Sequence, residues 1–140
     1  LRSIIDLNCL GEKSIIVDCD VIQADGGTRT ASITGGFVAL SLAIKKYMSS
    51  NKSIQNPIKD YVAAISCGIV KNEVLVDLDY SEDSIADVDA NFVITQKSGF
   101  SEVQATGEEN TFQKDELVDM MEKVELVSEK IFAIQKGALE

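Results

Sequence analysis

Alternation of apolar and polar residues marks the first readable stretch of the chain. In SIIVDCDVIQ, residues 14–23, the apolar side chains recur at every second position from Ile15 to Val21, while Asp18 and Asp20 occupy the intervening positions. Successive side chains of a strand point to opposite faces, so this alternation is typical of a strand with one buried face. We therefore predict a half-buried strand over residues 14–23.

The pattern changes period after the segment ADGGTRT. Gly26 and Gly27 permit backbone angles that other residues avoid, so they predict a turn at this point. Apolar residues then recur at helical spacing from Ile33 to Tyr47. The sequence therefore predicts a strand, a glycine turn and a helix in succession.

The second half of the chain predicts two hairpins and a long helix. VAAISCGIV and EVLVDLDY are apolar or alternating segments joined by the short turn Lys71-Asn72, which favours a hairpin. SEDSIADVD is expected to be a short helix or turn, and ANFVITQ and FSEVQAT predict a second hairpin. From Lys114 to Leu139 the apolar positions repeat with the period of a long amphipathic helix.

A polar segment separates the two halves. SSNKSIQNPIKD is rich in Ser, Asn and Lys and holds the only proline of the chain, a composition typical of a linker. We divide the chain into residues 1–49, a linker at 50–59 and a second unit at 60–140.

Composition removes several classes of enzyme. The 140 residues contain no histidine, which excludes a Ser-His-Asp triad and a histidine zinc site within them. The three cysteines, Cys9, Cys19 and Cys67, are widely spaced, which suits free thiols in a reducing cytosol. The net charge of −10 argues against a protein that grips nucleic acid through a basic surface.

Neither a membrane span nor a signal peptide is visible in the sequence. We therefore expect a soluble cytoplasmic protein that does not act at a membrane. The chain begins with Leu1 rather than a methionine, and LRSIIDL looks like the end of a longer element. We expect an amino-terminal part to precede it.

A first group of candidate residues lies where the glycine turn meets the helix. The first amides of a helix lack partners and favour an anion, and Arg29 can hold two phosphate oxygens with its planar fork. Gly27 and the hydroxyls of Thr28 and Thr30 complete this candidate phosphate site. The segment has neither the GK[ST] of a P-loop nor GxGxxG, so an ordinary turn with a surface arginine remains the competing interpretation.

A second group is the acidic cluster between Asp77 and Asp89. Its spacing fails the EF-hand pattern, because the sixth position is Glu82 rather than glycine. Magnesium needs only one or two carboxylates together with substrate oxygens, and Asp83 and Asp89 could converge from the two ends of a short helix. A solvated acidic turn is the alternative.

These segments resemble the ribonuclease PH family. DCDVIQADGGTRTASITGGFVAL, NPIKDYVAAISCGIV and VDLDYSEDSIADVDANFVIT match it in order across essentially the whole chain. The resemblance implies an α+β fold with mixed sheets flanked by helices. Residues 1–49 would be the end of a ribosomal-S5-domain-2-like subdomain that carries the phosphate site, and 60–140 a β-β-α-β-β-α subdomain.

The resemblance also implies an activity and a set of site residues. Members are phosphate-dependent 3′-to-5′ exoribonucleases that trim the 3′ ends of tRNA precursors, act in rRNA processing and release nucleoside diphosphates. It places Gly27, Thr28 and Arg29 at the phosphate, the co-substrate, and Asp83 and Asp89 at the catalytic acids that bind Mg²⁺. A general-acid role for these acids stays open.

Partners follow from the same resemblance. Family members bind RNA and assemble as a homo-hexamer, a trimer of dimers. Basic residues that the family carries upstream of Leu1 are absent here, so we expect this fragment to be folded yet inactive alone. Two alternatives stay open, a non-catalytic RNA-binding ring subunit of the same fold and a magnesium enzyme that hydrolyses with water.

Overall fold

The computed structural model describes all 140 residues. After two short 3₁₀ turns, Arg2–Ile4 and Leu7–Leu10, the elements in chain order are α1 (Thr28–Ser50), β1 (Val62–Val70), β2 (Glu73–Val76), α2 (Tyr80–Asp83), β3 (Val88–Thr95), β4 (Gly99–Gly107) and α3 (Lys114–Leu139). The β-β-α-β-β-α order expected after the linker is confirmed. The α+β class, with helices flanking a sheet, is confirmed as well.

The four strands form one sheet in the order β2-β1-β3-β4, and all three pairings are antiparallel. Both predicted hairpins are present. Lys71 and Asn72 form the two-residue turn of the first hairpin with φ values of 52° and 65°, which match the right-handed strand twist. β1 lies between β2 and β3, and all nine of its residues are buried.

The two faces of the sheet carry different helices. Cys67 and Phe92 pack with Val124 of α3 in a core on one face. On the other face, Phe37 of α1 packs with Ala64 of β1 in a core shared by the two halves of the chain. Burial of these apolar side chains is the main force that holds both helices on the sheet.

The strand predicted over residues 14–23 is wrong. These residues form no strand and lie mostly exposed alongside α1, where the Val17 side chain approaches Gly36 and the Cys19 thiol donates to the Ser32 carbonyl oxygen at 3.8 Å. A strand needs a neighbour that accepts its backbone hydrogen bonds, and every strand of the sheet lies elsewhere in the chain. Alternation alone does not supply that neighbour.

The predicted strand over residues 73–80 is shorter than expected. β2 ends at Val76 because Asp77 has a φ of 63°, which turns the backbone out of the extended region. The Asp77 amide still donates to the Ser66 carbonyl oxygen at 2.8 Å. The chain then leads directly into α2.

The polar segment 50–59 packs against the start of the chain. The Asp6 amide donates to the Pro57 carbonyl oxygen at 2.7 Å, and Ile5 forms a single antiparallel bridge with Ile58. The division into residues 1–49 and 60–140 remains a prediction, and α1 shares its core with the sheet. None of the helices combines the length and apolarity needed to cross a membrane.

Candidate functional site

The amino terminus of α1 offers unpartnered backbone amides. Gly27 occupies the N-cap position with φ 72° and ψ 23°, and no side chain caps the helix. The first intrahelical bond runs from the Ala31 amide to the Gly27 carbonyl oxygen at 2.9 Å, so the amides of residues 28–30 have no partner. Such amides and the helix dipole favour an anion at this position.

The threonine hydroxyls at this end of α1 are already engaged. Thr28 Oγ1 donates to the Asp25 carbonyl oxygen at 3.0 Å, and Thr30 Oγ1 donates to the Gly27 carbonyl oxygen at 2.7 Å. Both bonds fix the turn that exposes the amides. The expectation that these hydroxyls donate to an anion therefore requires them to rotate away from the backbone.

Arg29 forms an ion pair that sequence reasoning missed. Its Nη2 donates to Glu102 Oε1 at 2.7 Å and to Oε2 at 3.0 Å, which links α1 to β4. The two side chains are 50% and 40% exposed, so solvent screens the pair and its contribution to stability is small. Because Glu102 accepts from one nitrogen only, Nε and Nη1 of the guanidinium remain available to a phosphate.

Asp25 connects the glycine turn to α2. Its Oδ1 accepts from the Gly26 amide at 2.9 Å and from the Tyr80 amide at 2.8 Å. Gly26 is required at this contact, since a Cβ there would overlap the carbonyl oxygen of Leu78. The turn before α1 is therefore fixed against the segment that leads to Asp83.

The acidic cluster divides into capping residues and site residues. Asp79 caps α2 by accepting from the Glu82 amide at 2.9 Å, and the Glu82 side chain accepts from the Asp79 amide at 3.1 Å. This capping box gives both acids a structural role, and the Ser81 hydroxyl bond lowers the pKa of Asp79. Asp83 and Asp89 take no part in the box.

Asp83 and Asp89 line one open cavity of about 720 Å³, together with Glu108 and Glu109. Asp83 is the last residue of α2, and Asp89 lies near the start of β3. The pKa of Asp89 is raised, first by partial burial and then by the nearby charges of Asp83 and Glu108. The two acids are thus close enough to influence each other's charge.

The carboxylates of this cavity fit a magnesium ion that is completed by substrate oxygens. No group of three or more acidic or cysteine side chains in the protein converges as a self-contained metal site. A pair of carboxylates is nevertheless what Mg²⁺ uses beside substrate phosphates. The pKa of Asp89 is raised first by burial and then by the charges of Asp83 and Glu108, and a cation would relieve the part that comes from these charges.

The phosphate-site residues and the acids lie on the same face of the sheet. In the β1–β3 register Gly68 is opposite Asp89 and Ser66 is opposite Asn91. These residues alternate with those that face α3, so they point to the side that carries α1. Gly27, Thr28 and Arg29 do not line the cavity of Asp83 and Asp89, and the Asp25–Tyr80 contact links the turn before α1 to the helix that ends at Asp83.

Comparisons with known proteins show what the chain is similar to. Residues 60–123 match the second domain of the 3′ exoribonuclease family. The chain is 51% identical over 140 residues, 99% of its length, to ribonuclease PH of Bacillus cereus (strain AH820) and equally to that of Bacillus anthracis. It spans 57% of the length of these relatives.

Solved structures share the fold at lower identity. Rice (Oryza sativa) Rrp46 superposes with a TM-score of 0.68 at 21% identity, covering 84% of this chain and 50% of that one. The Archaeoglobus fulgidus exosome with RNA bound to its active site gives a TM-score of 0.55 at 20% identity, covering 79% and 45%. Residues 60–123 are therefore similar to the second domain of the 3′ exoribonuclease family. The resemblance of the chain to ribonuclease PH is confirmed.

Proposed function

We propose that the complete native protein is a phosphate-dependent 3′-to-5′ exoribonuclease that trims tRNA precursors and releases nucleoside diphosphates. The observation that carries the proposal is geometric. An uncapped helix terminus with free amides and Arg29 lies on the same sheet face as the acid pair Asp83 and Asp89. The relatives named ribonuclease PH support the same activity.

The chemistry requires both halves of the site. An oxygen of inorganic phosphate attacks the phosphorus of the terminal phosphodiester, and the bond from that phosphorus to the 3′ oxygen of the preceding nucleotide breaks. A nucleoside diphosphate leaves, and the 3′ oxygen of the shortened RNA takes a proton. The amides of residues 28–30 and the free nitrogens of Arg29 would hold the phosphate in line for this attack.

Asp83 and Asp89 are the residues that would hold Mg²⁺. The ion, when bound, neutralises charge on the phosphoryl oxygens. The raised pKa of Asp89 also suits it to deliver a proton to the leaving 3′ oxygen. Dependence of turnover on added Mg²⁺ separates the two roles, since a proton donor alone does not require the ion.

The proposal extends to partners and place of action. The Archaeoglobus fulgidus relative of this fold has RNA bound at its active site, which supports RNA as the partner here. We propose that the complete protein is cytoplasmic, contributes to rRNA processing as well, and assembles as a homo-hexamer. Light scattering of the native protein tests the assembly, and a monomeric mass refutes it.

The decisive assay follows the 3′ nucleotides of an extended tRNA precursor. The native protein is incubated with this RNA and Mg²⁺, with and without inorganic phosphate. Release of nucleoside diphosphates only when phosphate is present supports the proposal. Nucleoside monophosphates indicate hydrolysis with water, and binding without turnover indicates a non-catalytic RNA-binding subunit.

Two variants assign the roles. Arg29→Ala should lower kcat/KM for phosphate about 100-fold, since donors to a transferring phosphoryl group have effects of this order. Its matched control is Arg2→Ala, the other arginine within these 140 residues, which should be unchanged. Asp83→Asn should abolish turnover while phosphate still binds, whereas the exposed acid variant Asp115→Asn on α3 should stay active. Unfolding of Asp83→Asn would make that acid structural.

A further inference from the structure

Ser66 is a buried hydroxyl with no hydrogen-bond partner. It lies in the middle of β1, where its neighbours are apolar and its own exposed fraction is 4%. Its Oγ is one of two buried side-chain polar atoms without a partner, and the other, Gln135 Oε1, belongs to an amide whose nitrogen already donates twice. A buried hydroxyl left unpaired lowers stability, so its retention needs a reason.

The position of Ser66 supplies that reason. It lies beside Gly27, the residue that precedes α1, and a Cβ at Gly27 would be 3.3 Å from Ser66 Oγ. Because glycine has no side chain, no side-chain atom at this position separates the Ser66 hydroxyl from the turn that leads to the free amides. The Ser66 backbone is fixed, because its carbonyl oxygen accepts from the Asp77 amide at 2.8 Å.

The neighbouring side chains provide no hydrogen-bond partner for this hydroxyl in their present conformations. Thr30 Oγ1, which is also near Gly27, donates to the Gly27 carbonyl oxygen. Asn91, opposite Ser66 on β3, makes no hydrogen bond to it. An unpaired buried donor lies beside Gly27, the N-cap residue of a helix whose first three amides are unpaired, and this is an arrangement expected where a tetrahedral oxyanion supplies the missing acceptors.

We propose that Ser66 is a further phosphate-binding residue, whose hydroxyl donates to an oxygen of the inorganic phosphate held at the amino terminus of α1. This inference rests on the proposed function, because it assigns an additional donor to the same anion. It gives the serine within an otherwise apolar strand a binding role. It also explains the glycine at position 27, where a side chain would stand between the two.

The test compares Ser66→Ala with Ser41→Ala in the native protein. Ser41 is a suitable control because it is 5% exposed and its hydroxyl donates to the Phe37 carbonyl oxygen at 2.8 Å, away from the site. Phosphate affinity is measured by calorimetry with inorganic phosphate, and melting temperature is measured without it. KM for phosphate and kcat are measured at saturating RNA.

Loss of one donor should weaken phosphate binding about fivefold to tenfold in Ser66→Ala, with kcat changed less than KM. Its melting temperature without phosphate should stay equal or rise, since the variant removes an unpaired polar group. Ser41→Ala should bind phosphate like the wild type. A serine with a purely structural role would show a lower melting temperature in Ser66→Ala and no change in phosphate affinity.

The outcomes separate this inference from the proposed function. If the wild type binds phosphate and Ser66→Ala binds it equally well, the role of Ser66 is refuted and the proposed function stands. If the wild type neither binds phosphate nor depends on it, both are refuted. Weakened binding in Ser66→Ala together with normal binding in Ser41→Ala supports the inference.

Discussion

Replacement of Asp25 by alanine tests whether the phosphate-site turn and the acids act as one site. Asp25 Oδ1 is the acceptor that links the Gly26 amide to the Tyr80 amide, at 2.9 Å and 2.8 Å. Tyr80 begins α2, and α2 ends at Asp83. The variant removes this link without touching any residue proposed to contact phosphate or metal.

The loss of stability in Asp25→Ala can be calculated from these two hydrogen bonds. Bonds to a charged acceptor contribute about 1.5–3 kcal/mol each when shielded, and Asp25 is exposed, so we expect a total loss of about 1–2 kcal/mol. For a chain of this size that corresponds to a fall in melting temperature of ~5 °C. Asp25→Asn keeps an oxygen acceptor and should lose about half as much.

The effect on activity should exceed the effect on stability. A displacement of about 1 Å between reacting groups can cost on the order of 100-fold in rate, so we expect Asp25→Ala to reduce kcat by about 10-fold to 100-fold. The rate is measured as phosphorolysis of a 3′-extended tRNA by the native protein, well below the melting temperature. Asp20→Ala, which removes an exposed acid earlier in the same segment, is the control.

Wild-type kcat in Asp25→Ala, with the expected loss of stability, would refute the coupling between the turn and α2. The bond to Tyr80 would then serve the fold alone. An intermediate rate in Asp25→Asn would support the geometric explanation, because that variant retains the acceptor oxygen but not its charge.

Four further outcomes follow from particular contacts. Gly26→Ala should lower the free energy of unfolding by ~3 kcal/mol or more in denaturant titrations, because its Cβ would overlap a backbone carbonyl oxygen; a wild-type midpoint would contradict the packing. Glu102→Gln should cost less than about 1 kcal/mol, since its ion pair with Arg29 is largely exposed, and a larger loss would mean that the pair is shielded. The pKa of Asp89 in the folded state is raised above its ordinary value near 3.8. The contribution of Asp89 to stability is therefore fully present below pH 3.8 and is lost as the pH rises through the folded-state pKa. Asp89→Asn should therefore melt at a higher temperature than wild type at pH 7 and at the same temperature below pH 3.8, and a lower melting temperature at pH 7 would contradict this sign. The Cys67 thiol, whose pKa burial raises to about 12, should resist alkylation at pH 8 until the protein unfolds, and rapid labelling of the native state would refute its burial.

Elements with a strong local signal could be predicted from the sequence. The long helix was expected from Lys114 to Leu139 and spans those residues, because its apolar period continues over seven turns. The Lys71-Asn72 turn was equally readable, since two residues between apolar segments leave few alternatives. In both cases nearby residues determine the structure.

Elements that depend on distant partners could not be predicted in the same way. Residues 14–23 alternate like a strand but have no strand beside them, and alternation carries no information about a neighbour. The early end of β2 depends on the positive φ of Asp77, a conformation that the sequence pattern did not indicate. Tertiary context overrides local preference at both positions.

The candidate site shows the same division. Compact local patterns in the sequence mark two groups of site residues: Gly27, Thr28 and Arg29, and likewise Asp83 and Asp89.

The residues that complete the site lie far from those patterns in the chain. Glu102 is 73 residues from Arg29, and Tyr80 is 55 residues from Asp25. Ser66 did leave a signal, as a lone hydroxyl in an apolar strand, but its meaning depends on the turn that packs beside it.

On this face of the sheet, one set of groups without partners favours an anion and the other favours a cation, and this difference bears on the reaction. On one side, the amides of residues 28–30 and the Ser66 hydroxyl lack acceptors. On the other, Asp83 and Asp89 carry mutually repelling charges. Each arrangement lowers stability in the free protein, and sites of this kind persist when a ligand offsets the cost. An anion would satisfy the first set and a cation the second, which is the combination that the proposed reaction requires. Hydrolysis by water would not need an anion at the free amides and the buried hydroxyl, and for this reason the proposed reaction is phosphorolysis.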